Sequence, residues 1–311
     1  MRLVFLGSPP AAVPTLRAVV DAGHEVRLVV SGPDKRRGRG AARTPTAVKA
    51  AALDLGLDVT DDLDAVGRVG AELGVVVAYG RIIPASLLEQ VPMVNLHFSL
   101  LPRWRGAAPV ERAILSGDAE TGVCVMDVAE GLDTGDVHAV ATVAIDDEVT
   151  ASELTGRLAE LGADLLVGAL ADGLGPGVAQ SGEGVTYAHK IRAEDRCLDW
   201  ALPAAQLARI VRIGGAWTTF RDGRFKVLAA TPATPSTPAT PVPQVSHGTV
   251  SHVTVSDGTV SPGTVWGTAV VCGDGDVLEL QTVQPQGKAA IDAAAWANGA
   301  RADGERLGSG G

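Results

Sequence analysis

Apolar and polar positions along the chain follow two periods, and their order predicts the layout. Arg2 to Leu6 reads as a buried strand, followed by Gly7-Ser8-Pro9-Pro10 and a helical pattern to about Ala22. Gly23-His24 closes that helix, and Glu25 to Val30 is a second strand. Helical spacing returns at Val48, Ala51, Ala52 and Leu55, with Gly56 as its stop. The same spacing at Leu63, Val66, Val69 and Leu73 predicts a helix from Asp62 to Leu73, ahead of a short strand from Val75 to Ala78. Val94 opens another apolar run, Pro109 to Leu115 is amphipathic, and Gly122 to Val128 is again strand-like. Thr150 and Glu153 stand at capping-box spacing before a helix carrying Leu154, Leu158, Leu161, Leu165 and Leu166. Strands alternating with helices predict a mostly parallel α/β sheet, with ligand sites at the strand carboxyl ends.

The pattern changes in the last third. Thr186 to Trp200 follows neither period and reads as a connecting segment. Ala204 to Val211 is a helix, and Thr218 to Ala229 is a hairpin around Asp222-Gly223. Thr231 to Pro243 is a low-complexity tract of Thr, Pro and Ala, and Val245 to Val265 loosely repeats a V-S-x-G-T-V unit. Proline at that density resists packing, so an exposed insertion is expected at about 231–263. Trp266 to Val283 returns to strand patterning, with a turn at Gly273-Asp274-Gly275-Asp276. The expected division is a domain at 1–180, a linker at 181–203, and a small OB-like β-barrel domain at 204–311.

Composition narrows the function classes. The 311 residues are 46% hydrophobic and 20% charged, which is globular composition. A formal charge of -10 gives no overall attraction to nucleic acid. Cys124, Cys197 and Cys272 are far apart, which fits neither a disulfide framework nor a zinc site, and no metal is expected. The run MRLVFLG is too short for a signal peptide and no stretch could span a membrane, so a soluble cytoplasmic protein is expected.

The candidate chemistry lies between Val94 and Asp136, in VNLHFSLLPRWRGAAPVERAILSGDAETGVCVMDVAEGLDTGD. Asn95 and His97, two apart on a strand, project from one face. The turn Gly131-Leu132-Asp133-Thr134-Gly135 adds a carboxylate. An amide and an imidazole can donate hydrogen bonds to a developing oxyanion, and a carboxylate can orient the imidazole or relay a proton. Lys35, Arg36, Arg37, Arg39 and Arg43 crowd into a glycine-bearing loop, which is either a solvated loop or a phosphate-contacting one. Lys and Arg also outnumber Asp and Glu between Thr186 and Leu228, where a solvated surface explains them as well. His247 and His252 lack ligand partners and read as part of a solvated tract.

Several of these blocks together resemble one family. NLHFSLLPRWRGAAP, GLDTGD, PDKRRGRG, TYAHKIRAEDRCLDW and the closing QPQGK are similar to the methionyl-tRNA formyltransferases over nearly the whole chain apart from the insertion. The resemblance implies an N-terminal Rossmann-like domain that holds 10-formyltetrahydrofolate and a C-terminal OB-like domain that helps hold tRNA. It implies formyl transfer to the α-amine of methionyl initiator tRNA; a monomer is expected. By motif it carries catalytic roles to Asn95, His97 and Asp133, and folate contacts to Ser99, Leu100, Leu101 and Pro102. It carries tRNA contacts to Lys35, Arg36, Arg37, Arg39, Arg43 and Lys288, although a plain surface lysine equally accounts for Lys288. Two departures from the family pattern are a shortened stretch at Ile213-Gly214-Gly215-Ala216-Trp217 and Ala11 where an aromatic is common. The central block also serves sugar-amine formyltransferases, which need neither the basic loop nor the tail. A non-catalytic folate- or RNA-binding relative is expected to lose one of the trio, and all three are present.

Overall fold

The computed structural model describes residues 1–36, 43–233 and 260–308, without the side chains of residues 35 and 36. Arg37 and Arg39 of the basic loop, both histidines of the low-complexity tract and most of that tract lie outside the described residues. The chain forms two compact units. The first comprises Met1–Ala113, Asp118–Ile145 and Glu153–Lys190; the second comprises Ile114–Gly117, Asp146–Ser152 and Ile191–Gly311.

The first unit runs β1 (Arg2–Gly7), α1 (Val13–Asp21), β2 (Glu25–Val30), the short pair β3 (Lys35–Arg36) and β4 (Arg43–Thr44), α2 (Ala47–Asp54), β5 (Val59–Thr60), β6 (Leu73–Val77), α3 (Ala85–Leu88), β7 (Met93–His97), β8 (Arg105–Gly106), α4 (Pro109–Ser116), β9 (Glu120–Asp127), β10 (Val137–Ala144), α5 (Ala151–Ala171) and β11 (Tyr187–Ala188). Its main sheet has the order β10-β9-β7-β6-β1-β2-β5. Strands β7, β6, β1, β2 and β5 are parallel; on one side β9 runs antiparallel to β7, and β10 antiparallel to β9. Successive strands step outward from β1 through β2 to β5, then cross to β6 on its other side. In such sheets ligands bind outside the strand carboxyl ends where the order reverses, here between β1 and β6, and β7 is the strand next to β6. The central strands are apolar because both faces are covered: Leu3, Val4, Phe5, Leu6, Val75 and Val77 are buried.

Two local readings of the sequence need correction. The stretch from Asp62 to Leu73 is not one helix: a 3₁₀ helix spans Leu63–Arg68, and Leu73 already belongs to β6. Gly70 adopts φ +64°, a left-handed conformation that ends the helical turn before the fourth apolar position is reached. The segment from Thr186 to Trp200 is more than a connection, since Tyr187 and Ala188 pair with Arg105 and Gly106. Strand β10 adds to the expected elements, and VHAVATVA alternates as an edge strand with one open face does.

The second unit contains α6 (Ala204–Arg212), β12 (Trp217–Phe220), β13 (Gly223–Ala233), β14 (Val265–Trp266), β15 (Ala269–Val271), β16 (Val277–Pro285), β17 (Ile291–Asp292) and α7 (Ala293–Ala300). It is a separate antiparallel sheet of order β12-β13-β16-β15-β14, with β17 also on β16. Arg221 and Asp222 both take positive φ, +48° and +63°, which is the twist a two-residue hairpin needs. In the shortened stretch after Arg212, Gly214 and Gly215 adopt φ +79° and +73° and turn the chain from α6 into β12. Leu207, Val211, Phe225, Val227, Leu278, Leu280, Val283 and Trp296 form its core. The ends of the low-complexity tract are woven into this sheet. Pro232 and Ala233 sit opposite Leu278 and Val277, and the Gly263 amide donates to Val271.

Candidate active site

Strand β7 delivers Asn95 half-buried and His97 buried at its carboxyl end, between β6 and β9. Beyond it the chain makes a tight loop in which the Leu101–Pro102 peptide is cis and Trp104 adopts φ +64°. His97 Nε2 lies 2.9 Å from the carbonyl oxygen of Trp104. A carbonyl only accepts, so this partner assigns a proton to Nε2. His97 Nδ1 faces Asp133 Oδ2 at 3.6 Å, too far for a direct hydrogen bond.

Asp133 is fixed by another contact. Its Oδ2 accepts the Gly106 amide at 2.7 Å. Asp133 itself is left-handed at φ +50°, an uncommon conformation in which Asp is among the better tolerated residues. Gly106 must be glycine: its φ is +126°, and a Cβ there would stand 2.7 Å from the Ala188 carbonyl oxygen. Gly135, two residues after Asp133, is equally constrained, because a Cβ would lie 2.0 Å from the Asp127 carbonyl oxygen. The glycines of the GLDTG turn and of the PRWRG loop thus permit the backbone approach that brings Asp133 to the end of β7. The structure therefore brings Asn95, His97 and Asp133 to the same strand end. The role of holding His97 in orientation falls to the Trp104 carbonyl, a main-chain atom that sequence spacing does not announce.

The four residues SLLP divide by exposure. Ser99 is buried, with its hydroxyl donating to the Arg103 carbonyl at 2.6 Å, so it shapes the loop from inside. Leu100, Leu101 and Pro102 are half-buried and offer apolar surface. Asp118 anchors the same loop by accepting Arg103 Nε at 2.8 Å, Arg103 Nη2 at 2.6 Å and Trp104 Nε1 at 2.7 Å. Thr186 Oγ1 accepts the Trp104 amide at 2.8 Å. Asp118 and Thr186 are the supports that sequence reasoning missed, since their motifs carry no chemical signature of their own.

Cys124 sits opposite His97 in the β7–β9 register and donates to the Ser99 carbonyl at 3.1 Å. Burial pushes its thiol up, so it stays protonated and is not a nucleophile. On the far side of the GLDTG turn, His138 Nε2 lies 2.9 Å from Asp127 Oδ1, and its Nδ1 lies 3.0 Å from the Gly175 carbonyl. No cluster of three or more His, Cys, Asp or Glu among the described residues could hold a metal.

Of the basic residues, Arg43 is exposed on β4, where it pairs in register with Arg36. Lys49 ties this region down through a 2.8 Å ion pair with Asp34. Lys288 is exposed on the turn after β16, its amide donating to Pro285.

A sheet whose strand end carries an amide, an imidazole and a carboxylate is the frame of a group-transfer enzyme, and comparison with known proteins gives the class. A model of the formyl transferase family matches residues 1–170, and one of the formyl transferase C-terminal domain matches residues 190–301. The methionyl-tRNA formyltransferase of Symbiobacterium thermophilum is 41% identical, over 96% of this chain and 92% of that protein. That of Roseobacter denitrificans is 42% identical, over 96% of each. The chain belongs to the methionyl-tRNA formyltransferase family. Among solved structures, an N-formyltransferase from Helicobacter canadensis in complex with folinic acid and dTDP-3-aminofucose superposes with a TM-score of 0.63 at 15% identity. That match covers 90% of this chain and 98% of the other. The methionyl-tRNA formyltransferase from Clostridium thermocellum gives 0.56 at 15% identity, over 74% and 93%. These two likenesses establish the shared fold.

Proposed function

We propose that this chain transfers the formyl group of 10-formyltetrahydrofolate to the α-amine of methionyl initiator tRNA. The observation that carries the reading is the meeting of Asn95, His97 and Asp133 at the end of β7, in a chain similar over almost its full length to proteins named for that reaction. The folate supplies an activated formyl group, and the chain's residues supply positioning and charge. The unprotonated amine nitrogen bonds to the formyl carbon, and the carbonyl oxygen becomes an oxyanion. Asn95 donates a hydrogen bond to that oxyanion, and so does His97 from Nδ1 once that nitrogen takes up a proton, since its Nε2 proton is held by the Trp104 carbonyl. The bond from carbon to N10 then breaks as the carbonyl re-forms, one proton leaving the amine and one arriving on N10. Asp133, the carboxylate facing His97 Nδ1, relays the proton. Its Oδ2 is already held by Gly106, so the carboxylate is in place before substrate binds.

The half-buried Leu100, Leu101 and Pro102 provide the apolar contact for the folate, on a loop that Ser99 braces. The basic segment from Lys35 to Arg43, with Lys288 in the second unit, contacts tRNA phosphates, and the enzyme acts as a monomer in the cytoplasm. A chain of net charge -10 binds RNA through such local clusters, and affinity then falls steeply with salt.

The test is formyl transfer from 10-formyltetrahydrofolate to methionyl initiator tRNA, beside uncharged tRNA and a panel of amino sugars. Transfer to the charged tRNA alone is expected. Transfer to a sugar overturns the substrate while keeping the chemistry, and no transfer at all overturns the activity.

A further inference from the structure

Gln180 lies 45 to 47 residues from the GLDTG turn and 75 from Arg105, yet it connects them. Its Oε1 accepts both Nε and Nη2 of Arg105, at 3.0 and 2.6 Å. Its Nε2 donates to the carbonyl of Asp133 at 2.9 Å and to that of Gly135 at 2.8 Å. Both amide protons and the amide oxygen are therefore engaged, in a half-buried position. The carboxamide orientation is fixed by its partners: a guanidinium only donates and a carbonyl only accepts, so a flipped amide would lose all four hydrogen bonds.

The segments so joined are the two that meet at the candidate active site. Arg105 immediately precedes Gly106, whose amide binds Asp133 Oδ2. Asp133 precedes the Gly135 corner by two residues and holds the left-handed φ of +50°. Without an external hold, a left-handed aspartate on an exposed turn relaxes to its ordinary conformations, since such backbone costs free energy and persists only where the surroundings enforce it. Gln180 grips the carbonyls on either side of Thr134, and so fixes the peptide planes that set the direction of the Asp133 side chain.

We infer that Gln180 is a positioning residue, clamping the Asp133 turn to the Arg105–Gly106 strand so that the carboxylate is kept at its place beside His97. This rests on the proposed formyl-transfer reading for its kinetic consequence, whereas the placement of Asp133 is observable without any substrate. The amide is required rather than a carboxylate or an apolar chain of the same length. Glutamate would keep Arg105, and more strongly, but would aim a second acceptor at the Asp133 and Gly135 carbonyls. Methionine would fill the space and bind neither side.

The experiment compares Gln180→Met and Gln180→Glu with the parent protein in three measurements. In formyl transfer, both variants are expected to lose kcat by roughly ten- to a hundredfold, as misplacement of a reacting group by about 1 Å does, with KM for folate and acceptor within about twofold. In thermal unfolding, Gln180→Glu is expected to melt close to the parent because its arginine pair survives. In nitrogen NMR of the ligand-free protein, the His97 Nδ1 resonance is expected to move in both variants, reporting the displaced carboxylate. A Gln180→Glu protein with kcat within twofold of the parent overturns the inference, because the arginine contact alone would then suffice. An unmoved His97 resonance overturns it too, whatever the kinetics. Transfer to an amine other than methionyl tRNA sinks only the substrate reading, since all three comparisons can be made on that amine.

Discussion

His97 is held by Trp104 through main chain rather than side chain, Nε2 to carbonyl oxygen at 2.9 Å. The contact depends on Trp104 occupying φ +64°, where a bulky residue is strained by about 1–2 kcal/mol. The strain is offset by fixed contacts: the indole nitrogen donates to Asp118, the amide to Thr186, and the Arg103 guanidinium lies 4.5 Å over the ring. The imidazole is thereby set before any substrate arrives, and preorganisation of this kind is what makes a hydrogen-bond donor effective in a transition state.

Removal of either oxyanion donor follows directly. Asn95→Ala and His97→Ala are expected to fold and to lose about a hundredfold or more in kcat, the cost of one such donor. His97→Gln preserves a donor for the Trp104 carbonyl and lacks the nitrogen that faces Asp133, so it is expected to be as inactive as alanine. Steady-state formylation with circular dichroism as a folding control decides this. Near-parent turnover in any of the three removes that residue from the mechanism.

Asp118 is the anchor of the loop that presents the Trp104 carbonyl. Asp118→Ala deletes the acceptor for Arg103 Nε, Arg103 Nη2 and Trp104 Nε1. Arg103 is partly exposed, so in the variant its guanidinium regains water, and the expected loss is about 2 kcal/mol rather than the larger cost of a fully buried pair. Urea denaturation measures it. Formylation is expected to fall further than this stability loss explains, because the His97 partner loses its support. Parent activity in Asp118→Ala would show that the loop keeps its shape without the anchor.

The difference between what was legible in the sequence and what was not has a physical basis. Parallel strands buried on both faces write continuous apolar runs, so β1 and the Val75–Val77 part of β6 could be read directly. Asn95, His97 and Asp133 could be proposed because their side chains carry the chemistry. The Trp104 carbonyl, the Gln180 clamp and the Asp118 anchor could not: a carbonyl belongs to every residue, and a hydrogen bond across 75 residues leaves no local pattern. The helix expected at Asp62–Leu73 failed for another reason, as periodicity counts apolar positions and overlooks a left-handed Gly70 between them.

The basic segment makes a prediction in salt. Neutralising Arg36, Arg37 and Arg39 together is expected to weaken binding of initiator tRNA. It is also expected to reduce the slope of log affinity against log salt by about 2–3, at roughly 0.9 for each phosphate no longer neutralised. Folate binding, measured by fluorescence titration, is expected to be unchanged. A slope equal to the parent's assigns the arginines to the solvent.

The thiols differ in surroundings and so in reactivity. Burial, reinforced by Asp274, pushes Cys272 up to about 12, and burial also raises Cys124 and the half-buried Cys197. In the native protein at pH 8, a disulfide reagent is expected to label Cys197 first and the other two only on unfolding. The sign of the pH effect follows from the raised folded value. Cys272 contributes its full stability below the ordinary thiol value of 9.0, and that contribution is lost as pH climbs toward about 12. Cys272→Ala is therefore expected to lose less stability than the parent between pH 7 and pH 11, and an identical loss in both proteins contradicts the assignment.

The second unit stands on an aromatic centre. Trp296 on α7 is buried against Phe225, ring centroids 4.5 Å apart, and meets Phe220 edge-on at 5.2 Å. Helix α7 presents only Ala293, Trp296 and Ala297 as buried residues, so the indole supplies most of the apolar area that fastens it to β13 and β16. Trp296→Ala leaves a cavity that two alanines cannot fill, at an expected cost of about 3–5 kcal/mol. Trp296→Phe retains ring stacking and is expected to lose much less. Hydrogen exchange locates the effect: amides of α7 and of β16 lose protection in the alanine variant, while those of β1 and β6 keep theirs. Equal loss of protection in β1 and β6 would mean that the two cores unfold as one, and would overturn the assignment of this tryptophan to the second unit alone.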